Sequence, residues 1–526
     1  MEDSKRSRNN VEMRAIDDEI RDLEFDRNTT AAKQWATPHD IKDMDALGLT
    51  PTFKRRFKFV AMVGFSSTVV VAWQNMLAVF YFALYNGGTG GLFWGFVFSM
   101  SAMTFVYLTI AELSSCFPTA GGQYQWVSEC APRNMRKILA YCTGWLLTLA
   151  WITFLGSCGV IIGNTIKYCI LVYHPDSPAA NSQWLPTVLA LIVLVGGAFF
   201  NIHLAKKFPM IEGIMLVIHL AGWVAVIVTL WTTSPRGNTH DVIFTFTNPG
   251  GWPNAGVASL IGVLTPFSSL FGYDSSVHMT ENAKDASRTI PLSLMTAYGV
   301  NAIMAFIAAI TMIFCIGDVD AVLASPSPFV AVFLNSTGSK AGTIILIVPI
   351  ILAFCSALIS EVATASRQLW SFARDGGLPG GHYLEPVPDA ETPRRAVWVT
   401  IALACAIACI NFGPVVGFNA IISIIGCSLS FSYTLCIGCT IWRRFFGPPI
   451  PKERFSLGKA GVFVNIIGFC CVLPITVISV FPSVPNPTPD YMNWASLVFG
   501  TVVIVAAINY FMGGRKAFNP PMRRVD

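Results

Sequence analysis

Thr265–Pro266–Phe267–Ser268–Ser269–Leu270–Phe271–Gly272–Tyr273–Asp274 is a run that a continuous apolar helix tolerates badly. Proline removes a helix donor and glycine loosens the hydrogen-bond ladder. A similar run stands earlier in the chain: Gly64–Phe65–Ser66–Ser67–Thr68, then Trp73–Gln74. Each has a Phe-Ser-Ser step followed by an aromatic–polar pair. Short hydroxyls can re-satisfy backbone groups freed at a break. Two interrupted apolar segments in corresponding positions point to two inverted repeats with a binding site near the middle of a membrane.

Outward from these runs, the charges fall in a pattern. Lys, Arg, Asp and Glu are missing from 59–111, 138–166, 177–205, 213–235, 242–273, 289–317, 341–360, 396–442, 460–489 and 491–514. A span needs roughly 20 predominantly apolar residues. Two of the stretches hold two spans each, which makes about twelve. The expected spans are 60–84, 91–114, 138–168, 184–203, 209–232, 255–280, 291–316, 341–370, 396–412, 416–442, 460–481 and 491–512. The interrupted runs fall in spans 1 and 6, which run in opposite directions, as inverted five-span repeats require. Only 12% of the 526 residues are charged, about half of what a soluble domain carries. Lipid-facing helices account for this, because charge is expensive in hydrocarbon. The fold class expected is an all-α membrane protein of about twelve spans, with spans 1 and 6 broken.

Orientation follows from the bias of basic residues toward the cytoplasm. With both termini inside, only Lys167, Arg236 and Lys340 of the 35 Lys and Arg fall outside. Residues 1–58 are hydrophilic and mix acids with bases, as in Asp17–Asp18–Glu19, and read as a disordered cytosolic tail. Residues 59–514 form the membrane domain and 515–526 a second cytosolic tail. The net charge of +5 needs no nucleic-acid partner. Asn335–Ser336–Thr337 is an N-glycan acceptor in the expected external loop 317–340. The 14 Cys are expected to be free; Cys436 and Cys439 have a metal-like spacing but no further ligand nearby. The seven His, at 39, 174, 203, 219, 240, 278 and 382, do not cluster, so no metal site is expected. No phosphate-binding loop, H-E-x-x-H or G-x-S-x-G motif supports an ATP-driven pump or an enzyme.

Four segments carry a family resemblance. They are Asn86–Gly87–Gly88–Thr89–Gly90–Gly91–Leu92–Phe93–Trp94–Gly95, then Ala111–Glu112–Leu113 with Pro118–Thr119–Ala120–Gly121–Gly122–Gln123–Tyr124–Gln125–Trp126, then Gly272–Tyr273–Asp274 through Glu281 with Pro291, and Ser366–Arg367–Gln368–Leu369–Trp370–Ser371–Phe372–Ala373–Arg374–Asp375–Gly376–Gly377–Leu378–Pro379. Together the chain resembles the amino acid–polyamine–organocation superfamily, and within it the fungal amino acid/choline transporter branch, which includes GABA and choline permeases. The likeness covers roughly 45–512. Two positions depart from the branch: Glu281 is followed by Asn282 where relatives often have a second acid, and Trp73 precedes Gln74 where choline and GABA carriers often have Trp-Glu.

The resemblance implies a secondary active transporter working by alternating access, with no cofactor and a proton as the coupling ion. It implies substrate contacts at the breaks, from Ser66, Ser67 and Thr68 in span 1 and Thr265, Phe267 and Ser268 in span 6. Trp73 and Tyr273 could wall a cationic headgroup by cation–π attraction, and Gln74 could orient it. Asp274 and His278, four residues apart, could hydrogen-bond on one helix face. With Glu361 they are candidates for proton coupling or gating, since an acid kept inside a membrane is a functional candidate by default. Ser360 and Thr364 stand where sodium-coupled relatives place ion ligands. Glu112, Glu212 and Glu281, near the cytoplasmic ends, read as tethers or gates paired with Arg133, Lys207, Arg288 or Arg367. His219 reads as a satisfied structural histidine. The substrate expected is an amino acid, a choline-like compound or another small amine, in the plasma membrane or the vacuolar membrane. An exporter of a nitrogenous secondary metabolite and a non-transporting nutrient sensor are the alternatives.

Overall fold

A computed structural model describes residues 35–388, 391–413, 416–482, 484–488 and 492–523, without the side chains of 416–419. Among these residues eleven helices are long and apolar enough to cross a membrane. They are Phe59–Tyr85, Gly88–Cys116, Arg136–Tyr173, Trp184–His203, Ala205–Thr233, Ala286–Phe314, Lys340–Arg374, Arg394–Phe412, Ala420–Phe446, Gly458–Ile478 and Ala495–Ala517. The twelfth, span 6, is interrupted: it comprises Ala255–Gly262, Leu264–Ser269 and a single turn Ser275–His278. The chain is an all-α, multi-pass membrane protein. Span 5 shows its lipid side in Met210, Ile214, Val217, Val224 and Val228, exposed at helical spacing.

Spans 3 and 8 are the longest, with 38 and 35 residues. A helix of that length runs about 55 Å, well beyond a hydrocarbon core of about 30 Å, so each tilts or projects past the core. They occupy the third place in each half of the chain, as inverted repeats require. Span 3 is buried through its middle, residues 140–165, and packs on spans 4, 8, 9, 10 and 12.

Span 1 breaks at Val71, which takes the left-handed conformation (φ 40°, ψ 51°) and joins Phe59–Val70 to Ala72–Tyr85. The break thus falls three residues beyond Ser66–Ser67–Thr68, which stay helical. A β-branched residue at positive φ is rare and strained. In span 6 the helix ends at Ser269 and the chain turns at Gly272 (φ 100°), where no Cβ has to be accommodated.

Both described ends of the chain lie on one face. The sequence reading extends a disordered tail to residue 58; residues 1–34, with Asp17, Asp18 and Glu19, lie outside the described residues, and 35–58 are structured. Helix Pro38–Ala46 opens with a reciprocal capping box between Thr37 and Asp40. The strap that follows pairs Phe57 with the turn after span 6: Phe57 N–H donates to the Asn282 carbonyl at 3.1 Å and Lys284 N–H to the Phe57 carbonyl at 2.8 Å. At the other end of the chain, Phe518 is buried among Tyr124, Tyr141 and Phe372. Arg524, Val525 and Asp526 lie outside the described residues.

The far face carries Asn86, Gly87 and their partners. Gly87 and Thr247 exchange backbone hydrogen bonds, and Trp252 Nε1–H donates to Asn86 Oδ1 at 3.0 Å. Asn335 is exposed on the short helix Pro328–Thr337 on this side, while Ser336 is tied to Thr233 and Ser234.

Candidate functional site

The two breaks meet. Val70 and Val71 of span 1 and Ser268 of span 6 border a small cavity of about 30 Å³. Its walls are Phe154 and Ile161 of span 3, Phe354 of span 8, and Ile422 and Ile425 of span 10. Glu361 of span 8 is among its lining residues. A second cavity, of about 80 Å³, shares Ser268 and Ile422 with the first and is lined further by Thr265 and Phe271 and, toward the far face, by Asn86 and Phe481. The path from the breaks thus runs toward the far face. The opposite face is sealed by the amino-terminal strap and by ion pairs, among them Arg374–Glu281 at 2.9 Å and Arg443–Glu129 at 3.6 Å.

Of the expected substrate contacts, Thr265 and Ser268 line these cavities, and Ser268 lines both. Ser66, Ser67, Thr68, Trp73, Gln74, Phe267 and Tyr273 are buried but border neither. Trp73 and Gln74 turn toward span 5 instead. The Trp73 ring lies 6.0 Å from the His219 ring, and Gln74 Nε2 donates to His219 Nδ1 at 3.0 Å. His219 Nε2 meets Asn301 Oδ1 at 3.1 Å. A neutral imidazole accepting at Nδ1 and donating at Nε2 satisfies both partners, so His219 ties span 1 to span 7, as a structural histidine would. Tyr273 sits between Tyr107 and Tyr298, each 5.5 Å away ring to ring. Phe267 packs on Phe271 and Phe98.

Asp274 and His278 do not hydrogen-bond. His278 Nε2 lies 3.9 Å from Asp274 Oδ2, beyond hydrogen-bond range. The two share one face of the turn Ser275–His278, which Asp274 caps, but other partners hold each of them. Asp274 is bound elsewhere: Gln123 Nε2 donates to Oδ2 at 2.5 Å and the Tyr433 hydroxyl to Oδ1 at 2.6 Å. His278 Nδ1–H donates to the Ala120 carbonyl at 2.7 Å. Gln123 and Ala120 both belong to the segment after span 2, so that segment clasps the span 6 break from the face that carries the chain ends.

Glu212 corrects the reading of it as a tether to a nearby base. It is 1% exposed and accepts hydrogen bonds from Thr68 Oγ1 of span 1 and from Ser360 Oγ of span 8, the latter at 2.5 Å. Only its place four residues into span 5 hinted at this. Ser360, an expected ion ligand, is therefore engaged by Glu212, and Thr364 Oγ1 donates to the Ser360 carbonyl at 3.0 Å. Glu112 and Glu281 keep the tether role with other partners: Glu112 pairs with Arg444, and Glu281 with Arg374. Arg367 instead donates to Asn282 Oδ1 at 2.6 Å.

Outside the spans, Asp40 and Arg55 form the most enclosed ion pair of the strap, 3.1 Å apart and 1% and 3% exposed. Burial alone would raise the Asp40 carboxyl, but Arg55 and the N–H groups of Ala286 and Thr37 outweigh it and hold it below the ordinary Asp range. Asp375, just past span 8, is pushed the other way by burial, despite Arg374 and the donors Tyr124 and Gln125.

The profile of a family described as amino acid permease matches residues 58–505. A Macrophomina phaseolina protein provisionally named an amino acid/polyamine transporter is 29% identical over 83% of this chain and 97% of its own length. The choline transporter of Saccharomyces cerevisiae is 26% identical over 91% of this chain and 86% of its own. Amino-acid permease 2 of Neurospora crassa is 25% identical over 93% and 90%.

Proposed function

The chain belongs to the amino acid permease family, a family of carriers and not of enzymes, and from that premise we propose that it is a secondary active transporter that carries a small amine or amino acid by alternating access with proton coupling. The observation that carries this is the meeting of the span 1 break at Val71 with the broken stretch of span 6 at Ser268 and Phe271 around two adjoining cavities, the second of which reaches toward one face. A binding site at the junction of two repeats, closed on one side, is what alternating access needs.

Coupling is assigned to Glu212 and Asp274. Glu212 joins span 1 to span 8 through two hydroxyls, and each hydroxyl has a backbone carbonyl as a second acceptor. Thr68 Oγ1 lies 3.2 Å from the Phe65 carbonyl, and Ser360 Oγ lies 3.0 Å from that of Ser356. With Glu212 ionised, both hydroxyls donate to it. With Glu212 protonated, one hydroxyl turns back to its own helix and accepts the carboxyl proton. The clasp between a moving span and the scaffold can thus hold either protonation state and differs in strength between them. Asp274, held by Gln123 and Tyr433, ties the span 6 break to the segment after span 2 and to span 10 in the same way. The termini are assigned to the cytoplasm of a plasma-membrane protein, which the crowd of basic side chains on that face supports.

Counterflow in proteoliposomes tests the transporter reading. Vesicles preloaded with unlabelled amine or amino acid should draw in the labelled compound transiently. A panel of amines and amino acids that gives no counterflow would reject transport in favour of a sensor.

A further inference from the structure

We propose that Glu361 is the counter-ion of the substrate's ammonium group, and that the substrates are small amines whose nitrogen carries at least one hydrogen. This rests on the reading of the central cavity as the substrate site.

The intramembrane acids divide by their surroundings. Glu212 and Asp274 have both oxygens met by donors from the protein. Glu361 is as deeply buried, at 2% exposure, yet its Oε2 has no hydrogen-bond partner among the described residues. The nearest help is the Cys158 thiol, a weak donor. It is also the acid with empty space beside it, between Val71 and Phe354. Leaving a buried carboxylate oxygen unmet is costly. A ligand that brings both a positive charge and an N–H donor removes that cost.

The rest of the lining sets the ligand's other features. Among the described residues Glu361 is the one charged residue bordering the cavity, so the ligand's net complement there is a single positive charge. Two phenylalanines and three isoleucines line it beside Asn75 and Ser157, which suits a short carbon chain with little further polar character. A trimethylated nitrogen brings charge without a hydrogen and leaves Oε2 unmet. The distinction therefore falls between protonated primary or secondary amines, with or without a carboxylate elsewhere, and quaternary ammonium compounds.

The test uses purified full-length protein in detergent and measures ligand-dependent stabilisation against heat. The pairs are ethanolamine with choline, which differ only in N-methylation, and 4-aminobutyrate with butyrate, which differ in the amine. Wild type should bind ethanolamine and 4-aminobutyrate at least about tenfold better than their partners. Glu361→Gln should lose about 10- to 100-fold in affinity for the amines, the span expected for one hydrogen bond to a charged group. Glu361→Asp keeps the charge and should recover part of the loss, which separates loss of the counter-ion from loss of fold. Choline binding as well as ethanolamine, amine affinity unchanged in Glu361→Gln, or no amine binding by wild type would each overturn the proposal. Failure of the transporter reading looks different: amine binding that depends on Glu361, with no counterflow in vesicles.

Discussion

Asp40→Asn should loosen the closed face of the protein more than any other single change in the strap. Asp40 takes the Arg55 guanidinium at 3.1 Å and the backbone N–H groups of Asp285, Ala286 and Thr37, each at 3.0 Å. Arg55 in turn donates to the carbonyls of Thr280 at 3.0 Å and Ala283 at 2.7 Å. The pair is nearly sealed from water, so removing one partner leaves the other charge buried and costs about 3–5 kcal/mol. At about 1.4 kcal/mol per factor of ten, local opening should rise by roughly 100- to 4,000-fold. The neighbouring pairs of Glu391 with Arg56 and Lys54 cannot compensate, because these side chains are 20–27% exposed and such pairs contribute at most about 1 kcal/mol. Hydrogen–deuterium exchange reads the effect directly at the amides of Phe57, Lys284, Asp285 and Ala286. The sign of the pH dependence follows from the lowered Asp40 carboxyl. Its contribution is complete above the ordinary Asp value of about 3.9 and is lost as pH falls through the lower folded value. Protection at these amides, corrected for intrinsic exchange, should therefore be flat from about pH 5 to 8 as far as Asp40 is concerned. Because the pair is coupled, Asp40→Asn with Arg55→Met should open less than the two single effects combined. Exchange in Asp40→Asn within about threefold of wild type, far below the opening expected of a broken buried pair, or simple additivity in the double variant, would refute the reasoning.

Other expectations follow from the same geometry. Glu212→Gln should abolish uptake driven by an imposed pH gradient while retaining exchange, since the amide mimics the protonated clasp; uptake in vesicles that still follows the gradient would move coupling to Asp274 alone. Gly262→Ala would put a methyl carbon 1.9 Å from the Asn86 carbonyl oxygen, and should cost about 1–3 kcal/mol as overpacking, read as a lower melting temperature; an unchanged melting temperature would mean that the span 1–span 2 turn yields freely. A reporter fused after Asp526 should stay on the cytoplasmic side, and an external reporter would reverse the assigned topology.

The number and class of the spans, and the family, were legible in the sequence because hydrocarbon excludes charge so strongly that each span is written as a charge-free stretch. The interruption in span 6 was legible too, since Pro266 and Gly272 act on their own backbone, whereas span 1 breaks at Val71, beyond the Ser66–Ser67–Thr68 run that marked it in the sequence. Side-chain facing was not. Trp73 and Gln74 read as substrate contacts, yet a left-handed turn at Val71 rotates the following half-helix and aims them at His219. Asp274 and His278 do share one face of a helical turn, but Gln123 and Tyr433 hold the first and the Ala120 carbonyl the second, contacts that sequence spacing does not show. Glu212 and Glu361 look alike as single acids in apolar helices. Which of them is met by hydroxyls and which lines a cavity depends on spans 1 and 8 crossing beside them, a contact between residues more than a hundred positions apart that tertiary packing alone decides.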